Sequence, residues 1–529
     1  MTAVLTKPSS TRPTPPPRPR RRPRSPNDTL LITALLVLSL PALAWNITRF
    51  PGIGTDEGTY LAQAWAVREG VGLTHYTYWY DHPPLGWIQL ALLSWLPDLL
   101  GSDGLVVANG RLVMVVVGLV ANALLYLLAR RMALPRWAAA LAVIVFTWSP
   151  LAVVLHRQIY LDNVAVVWIL AAFVLALSPR RHLWHHITAG ACTAVSLLSK
   201  ETMAVAVPAV LLALRQGTHP STRKFSFAGY CAGLVLVLVF YPLYALLKGE
   251  LFAGQGHVSL LGALRFQLVG RAGSGSVFTE GSAAQQTVSI WFQYDAVLII
   301  VGLVGAAVGL AVRRLRPAAL AAVLLVLVAL RPNGYLPAMY VVQALPFLAL
   351  LLAGTAFLVT EVVRKRLLRY RSPSVRVAGA ALLCGAMTAG IAITPSWYTA
   401  NASTFTSAAN DDYLAAASWL RKHPPADHGE RIVVDDALWL DAVRAGYAPG
   451  LGAIWFYKLD LDPAVRAALP GGWQDLDLVV STPMMRANTR GLPTVTAALQ
   501  HSYVIVTFGT GPDRVEIRRV QQNERKGAR

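Results

Sequence analysis

Residues 105–131 read LVVANGRLVMVVVGLVANALLYLLARR. From Leu105 to Leu128 the stretch is long and apolar enough to cross a hydrocarbon core, which takes about 20 residues, and it stops on the pair Arg130-Arg131. An apolar run ending on paired arginines reads as a membrane span returning to the cytoplasmic side, where short loops concentrate Lys and Arg. Similar runs recur on both sides of it, from Leu30 to Ile393. The whole chain of 529 residues is 55% hydrophobic and only 14% charged, with a mean hydropathy of +0.48. Soluble domains carry roughly 25% charged residues, so the composition excludes a soluble enzyme, and it equally excludes a disordered chain.

The formal charge of +20 would suggest nucleic acid in a soluble protein. Its placement argues otherwise. Of the 47 Lys+Arg, 24 fall in short segments at 7–24, 130–136, 180–181, 215–224, 313–316 and 364–376, accompanied only by Asp28 and Glu361. The rest of the chain is close to neutral. Basic residues confined to short loops mark the cytoplasmic ends of spans, and no nucleic-acid partner is expected.

Threading by this rule begins with a Pro- and Arg-rich tail over 1–28, expected to be cytoplasmic and disordered. The first span, 29–47, is too long and lacks the cleavage site of a removed signal peptide. An outer loop over 49–104 follows, with Trp-rich stretches at 60–68 and 85–96 suited to interfacial helices. Spans are then expected at 105–128, 137–155, 164–177, 183–198, 202–214 and 225–246. A second outer loop covers 248–294. Three spans end near Arg313, Arg331 and Arg364, and the last covers 377–393. The pair 183–198 and 202–214 reads as a hairpin with Lys200-Glu201 at its tip; a single helix over 187–214 would leave basic loops on both sides of the membrane. The expectation is a mainly α, polytopic membrane domain over 29–395 with about 11 crossings and its N-terminus inside. Composition changes after it. Residues 396–520 are expected to form a small extracytoplasmic α/β domain, with helices at 411–423 and 437–445 and strands at 432–434, 478–480 and 503–508. A short disordered tail, 521–529, ends the chain.

The outer ends of the spans collect nearly all the remaining ionisable residues: Asp56, Glu57, Asp81 and His82 in the first loop, Arg157 and Asp162 at one turn, Lys200 and Glu201 at another. Charge at a membrane boundary is costly and by default functional. This mixture suits transfer of a group from a lipid phosphate. The phosphate leaves readily once cations stabilise it, and the acceptor hydroxyl needs a carboxylate to take its proton. Nucleotide sugars are not expected outside the cytoplasm, so an activated sugar at that face arrives on a lipid.

Two motifs sharpen this. Thr55-Asp56-Glu57-Gly58-Thr59-Tyr60, followed by Asp81-His82-Pro83-Pro84-Leu85, resembles the paired signature of the GT-C glycosyltransferases. More narrowly, it resembles the family 39-like group of aminoarabinose transferases and protein O-mannosyltransferases. The Arg157…Asp162 turn, the Lys200-Glu201 tip and Arg331-Pro332-Asn333-Gly334-Tyr335 ahead of Met339-Tyr340 are similar to later segments of that group. The resemblance covers about residues 30–395. It implies catalysis by Asp56 with Glu57, and donor-phosphate contacts from His82, Arg157 and Lys200. Tyr60, Asp81, Tyr160, Asp162, Glu201, Tyr335 and Tyr340 would support the site. Relatives often carry Lys where His82 stands, and histidine titrates near neutrality. The cofactor is unknown at this stage; for a divalent metal, Asp56, Glu57, Asp81, Asp162 and Glu201 are the candidate oxygen ligands.

The function these residues imply is transfer of a sugar, with inversion, from a polyprenyl-phosphate donor to an acceptor hydroxyl on a protein, glycan or glycolipid at the extracytoplasmic face of the cell membrane. The alternative is a transporter or flippase of lipid-linked envelope precursors, for which matched halves and midplane charges are the expected marks; neither is evident. Tyr76, Tyr78, Trp79 and Tyr80 form an aromatic cluster near the proposed site. The pairs Asp460/Asp462 and Asp475/Asp477 read as loop acids, and Cys192, Cys231 and Cys384 as packing residues within apolar runs.

Overall fold

The computed structural model describes residues 26–76, 80–99, 104–254, 257–331, 333–369, 396–402 and 404–521. The expected last span, 377–393, lies outside the described residues, as do Cys384, Tyr78 and Trp79. The apolar runs fold as helices: α1 (Pro26–Ala44), α2 (Thr55–Arg68), α3 (Leu85–Leu93), α4 (Leu112–Arg131), α5 (Arg136–Trp148), α6 (Pro150–Arg157), α7 (Leu161–Ala176), α8 (Leu183–Ser199), α9 (Val207–Gly217), α10 (Arg223–Leu238), α11 (Phe240–Leu247), α12 (Ala283–Ala311), α13 (Arg316–Ala329) and α14 (Leu345–Arg369). Among the described residues, five helical stretches are long and apolar enough to cross a membrane; the bent α5–α6 pair makes a sixth. Several of the expected crossings are thus shorter than a full span.

The breaks have local causes. Pro150 has no N–H to continue α5, and the residue before a proline avoids helical backbone. Ser149 is accordingly extended and caps α6, its hydroxyl accepting from Ala152 N at 3.4 Å. The two helices meet at 65°. Lys200 is also extended (φ −154°, ψ 112°), ending α8 before a 3-10 turn at Glu201–Ala206. Ser196 Oγ donates to Ala165 O at 2.8 Å, so α8 runs back along α7. A Cβ on Gly217 would sit 2.1 Å from the Ala176 carbonyl oxygen, so α9 returns to the far end of α7 and only glycine allows that approach. Lys200-Glu201 is therefore the tip of a hairpin, and the single-helix alternative is excluded.

One expectation needs correction. The second loop does not extend to 294, because α12 begins at Ala283, capped by Ser282 accepting from Gln285 N at 3.1 Å. Asp295 lies inside this helix at a break (φ −157°, ψ 77°), where its carboxylate accepts from Leu298 N at 2.9 Å and from the Ser149 hydroxyl. The glutamines Gln285 and Gln286 made this first turn read as loop. Similarly, the helix expected from Met339 begins at Leu345, after a 3-10 turn at Ala338–Gln343.

The C-terminal region is an α/β unit: α15 (Asp411–Lys422), β1 (Ile432–Val434), α16 (Asp436–Arg444), β2 (Ala453–Trp455), β3 (Leu478–Ser481), β4 (Ser502–Phe508) and β5 (Val515–Val520). Its sheet has the order β2-β1-β3-β5-β4, with β1 parallel to β2 and β3, and β5 antiparallel to β3 and β4. Strands β2 and β5 escaped the pattern reading. The first is only three residues long, and the second is interrupted by Glu516, Arg518 and Arg519.

The domain does not merely rest on the bundle. Helix α2 packs against the start of α16 so closely that a Cβ on Gly58 would fall 2.0 Å from the Asp436 carbonyl oxygen. Buried Tyr60, Leu61, Ala64, Trp439 and Trp455 belong to one apolar cluster spanning both regions. Burial of such side chains is worth about 1.5–3 kcal/mol each, so the interface carries a substantial share of the fold's stability.

Candidate active site

Asp56 stands in the first turn of α2, whose start is fixed from two directions. Glu57 Oε1 accepts from Gly54 N at 3.0 Å, a capping-box contact. The same carboxylate takes both Nη2 (2.6 Å) and Nε (2.8 Å) of Arg111 and the backbone N–H of Ile159 (3.0 Å). Arg111 in turn donates to Ile47 O and Pro51 O. Both side chains are wholly buried. Glu57 is thus an anchor that holds α2 against α4 and the 158–160 turn, and it does not line the cavity. A lone arginine inside the apolar 105–128 run was the available signal for this pair.

Asp56 opens onto a cavity of about 930 Å³. Three groups of side chains line it. On one side, His82 Nδ1 lies 3.1 Å from both Glu201 oxygens and its Nε2 lies 3.0 Å from Lys200 Nζ. Glu201 accepts and Lys200 donates, so the ring carries its proton on Nδ1. The neighbouring His82 and Lys200 outweigh burial and draw the Glu201 carboxyl down to about 2. Lys200 Nζ is also 3.9 Å from Asp162, which accepts from Gln343 Nε2 at 2.6 Å. A second group surrounds Asp81. Gln267 Nε2 donates to it at 2.5 Å, and Arg271 lies 3.9 Å away with its guanidinium 3.7 Å over the Tyr335 ring. The third group, Tyr76, Trp455, Tyr457 and Lys458, comes mainly from the C-terminal domain.

The cavity therefore gathers Asp56, Tyr60, Asp81, His82, Asp162, Lys200, Glu201, Tyr335 and Tyr340. It does not gather Glu57, Arg157 or Tyr160. Arg157 is fully buried, with Nε donating to Ala42 O at 2.8 Å; it satisfies a carbonyl at the end of α1 that the helix itself leaves open. Tyr160 packs beside Gly54 instead. Arg331, quoted within a motif in the sequence reading, also lines the cavity. Residues that reading missed include Arg271, Trp455, Tyr457 and Lys458. They sit on distant segments without a shared motif.

Three of the five candidate oxygen ligands for a metal are already engaged. Glu57 is committed to Arg111, Asp162 to Gln343 and Lys200, and Glu201 to His82. Among the described residues no three His, Cys, Asp or Glu converge.

Asp436, just behind α2, accepts from Tyr457 Oη at 3.0 Å. Burial pushes its carboxyl up to about 8, and the charges of Asp435 and Asp56 add to the rise. A folded value above the ordinary 3.8 means that ionisation works against the fold. The penalty is absent in acid, grows from about pH 4 to about pH 8, and then levels off. Asp436→Asn is expected to raise the unfolding temperature at about pH 8.5 and leave it unchanged near pH 4. Equal shifts at both pH values in a thermal-unfolding measurement would contradict this assignment.

Residues 81–245 match the family described as dolichyl-phosphate-mannose-protein mannosyltransferase. No curated protein matches the sequence. Among solved structures, ArnT from Cupriavidus metallidurans is similar with a TM-score of 0.54 at 14% identity, over 93% of this chain and 97% of that one. The oligosaccharyltransferase of Archaeoglobus fulgidus is similar with a TM-score of 0.54 at 14% identity, over 92% of this chain and 74% of that one. The bundle with its C-terminal α/β domain therefore has the fold of the integral membrane GT-C glycosyltransferases.

Proposed function

We propose that the protein transfers a glycosyl group from a polyprenyl-phosphate-linked donor to an acceptor hydroxyl, with inversion, at the extracytoplasmic membrane face. The observation that carries this reading is one cavity in which an accessible carboxylate, Asp56, shares walls with the cations Lys200, Arg271 and Arg331 and with His82. The similar ArnT structure is of a complex with undecaprenyl phosphate, and an archaeal AglB structure, similar with a TM-score of 0.53, is of a complex with a dolichol-phosphate. Both ligands are lipid monophosphates, the leaving group this reading requires. The clustering of Arg and Lys at the opposite ends of the spans supports an outward-facing site.

In the reaction, Asp56 takes the proton of the acceptor hydroxyl as its oxygen bonds to the anomeric carbon. The bond from that carbon to the phosphate oxygen breaks on the other side, and the lipid phosphate departs with the electron pair. Lys200, oriented by His82 and Asp162, stabilises the developing charge together with Arg271. Arg271 takes the part that the sequence reading gave to Arg157. His82, donating to Glu201 and accepting from Lys200, acts by positioning the Lys200 ammonium.

The test is a nanodisc preparation supplied with radiolabelled polyprenyl-phosphate sugars and acceptors bearing hydroxyls (octyl glycosides and a Ser/Thr-rich peptide), following release of the lipid phosphate. Wild-type protein is expected to release it. Lys200→Met is expected to lose about 10- to 100-fold in kcat/KM, the value of one charge-assisted hydrogen bond. Release at the wild-type rate in that variant would remove the phosphate from this end of the cavity.

A further inference from the structure

The third wall of the cavity is built differently from the other two. Tyr76 reaches it from the first loop but is held by the C-terminal domain. Its Oη donates to Gly450 O at 3.1 Å and accepts from Trp455 N at 3.2 Å. Its ring lies 5.0 Å from that of Trp455, and Tyr457 lies 5.8 Å from Trp455 on the next position but one. Tyr76 and Tyr457 are partly accessible, whereas Trp455 is 4% exposed. Its indole Nε1–H is buried beside the cavity without a hydrogen-bond acceptor. A buried N–H left unpaired costs about 1–3 kcal/mol, a cost that an occupant's oxygen reaching it would relieve.

The wall is also electrically quiet. Lys458, 4.9 Å above the Tyr76 ring, is neutralised by Asp462 at 3.3 Å. His75 stacks on Trp439 at 3.8 Å, and burial together with the Lys458 charge pushes its imidazole down to about 3, leaving it neutral. Aromatic faces beside single hydrogen-bonding groups, without net charge, are suited to the C–H faces and hydroxyls of an uncharged sugar ring. This wall is distinct from the His82–Lys200–Glu201 and Asp81–Arg271 groups, which take the leaving phosphate. In an inverting displacement the acceptor approaches from the side away from that phosphate.

From the Tyr76–Trp455–Tyr457 wall, we infer that the C-terminal domain holds the acceptor, and that the acceptor's reacting hydroxyl belongs to a neutral sugar unit rather than to a polypeptide side chain. The inference rests on the proposed transferase reading for the word acceptor, while the sugar subsite itself can be tested without any donor.

Saturation-transfer NMR on the full chain in nanodiscs, with methyl glycosides of mannose, arabinose and galactose as probes, measures the subsite directly. At least one glycoside is expected to receive saturation on its ring protons. Trp455→Ala is expected to weaken that signal by about fivefold or more. Trp455→Phe, which keeps the packing but removes the N–H, is expected to weaken it by about threefold. Lys200→Met, on the phosphate side, is expected to leave it within about twofold. No glycoside signal dependent on Trp455, or equal loss in Lys200→Met, overturns the subsite. A second arm supplies labelled polyprenyl-phosphate sugar together with an octyl glycoside or a Ser/Thr-rich peptide. Transfer to the glycoside, with its KM raised in Trp455→Ala and the donor KM unchanged, supports the inference, and transfer to the peptide alone overturns it. If no donor is consumed by the wild type while the NMR signal still depends on Trp455, the transferase reading fails and the sugar subsite stands.

Discussion

Asp56→Asn is expected to reduce glycosyl transfer by about 10²- to 10⁴-fold, the usual contribution of a positioned general base. Donor affinity should change little, because the phosphate is assigned to groups on other segments. The substitution is nearly isosteric at a partly exposed position in the first turn of α2, so thermal stability should be preserved. The measurement is single-turnover transfer from labelled polyprenyl-phosphate sugar, with donor binding followed in parallel. Retention of the wild-type rate would remove Asp56 as the base. Loss of donor binding at an unchanged chemical rate would move it to the phosphate side.

The second large effect is expected at Arg111. Its guanidinium is paired in two hydrogen bonds with Glu57, and both side chains are wholly buried. Removing one partner leaves the other charge buried and uncompensated, which costs about 3–5 kcal/mol. Arg111→Met should therefore express poorly and unfold at a markedly lower temperature. Adding Glu57→Gln removes the stranded charge while keeping an acceptor for one of the two backbone donors, Gly54 N or Ile159 N. The double variant should regain much of that stability but not activity, since α2 loses its tie to the Ile47 and Pro51 carbonyls. If the double variant unfolds as early as Arg111→Met, the pair is not the reason for the loss.

The two predictions differ in how visible their residues were in the sequence. Asp56, His82, Lys200 and Glu201 were legible because each sits at or close to a helix end, inside a short motif of its own. Lys200 ends α8 with extended backbone, so the tip that sequence patterning placed there is a physical break. Arg157 also lies at such a break, and the turn was placed correctly. What could not be read was the direction of its side chain, which follows from the 65° bend at Ser149-Pro150 and the open carbonyls of α1. Asp295 was read as the end of a loop because local polarity around Gln285 and Gln286 hid a helix that restarts at an internal carboxylate. Arg271, Trp455 and Tyr457 carry no motif at all. Their convergence depends on how a sheet of very short strands docks on the bundle, and that is a tertiary fact. The C-terminal domain was foreseen as a neighbour, while its place as a wall of the cavity appears only in three dimensions.

The contact between Gly58 and the Asp436 carbonyl has a bearing on how the protein is made. The helix carrying the proposed base leaves the ribosome long before residue 436 exists. Until then the side of it that meets Asp436 at Gly58 has nothing to rest on. Pairings so far apart in the chain form slowly, because loop closure must precede any gain. The half-synthesised polypeptide therefore has its pocket incomplete. A chain cut short after the last span would expose this bare face at the membrane surface, a target for quality-control proteases, and should not accumulate as a smaller working catalyst.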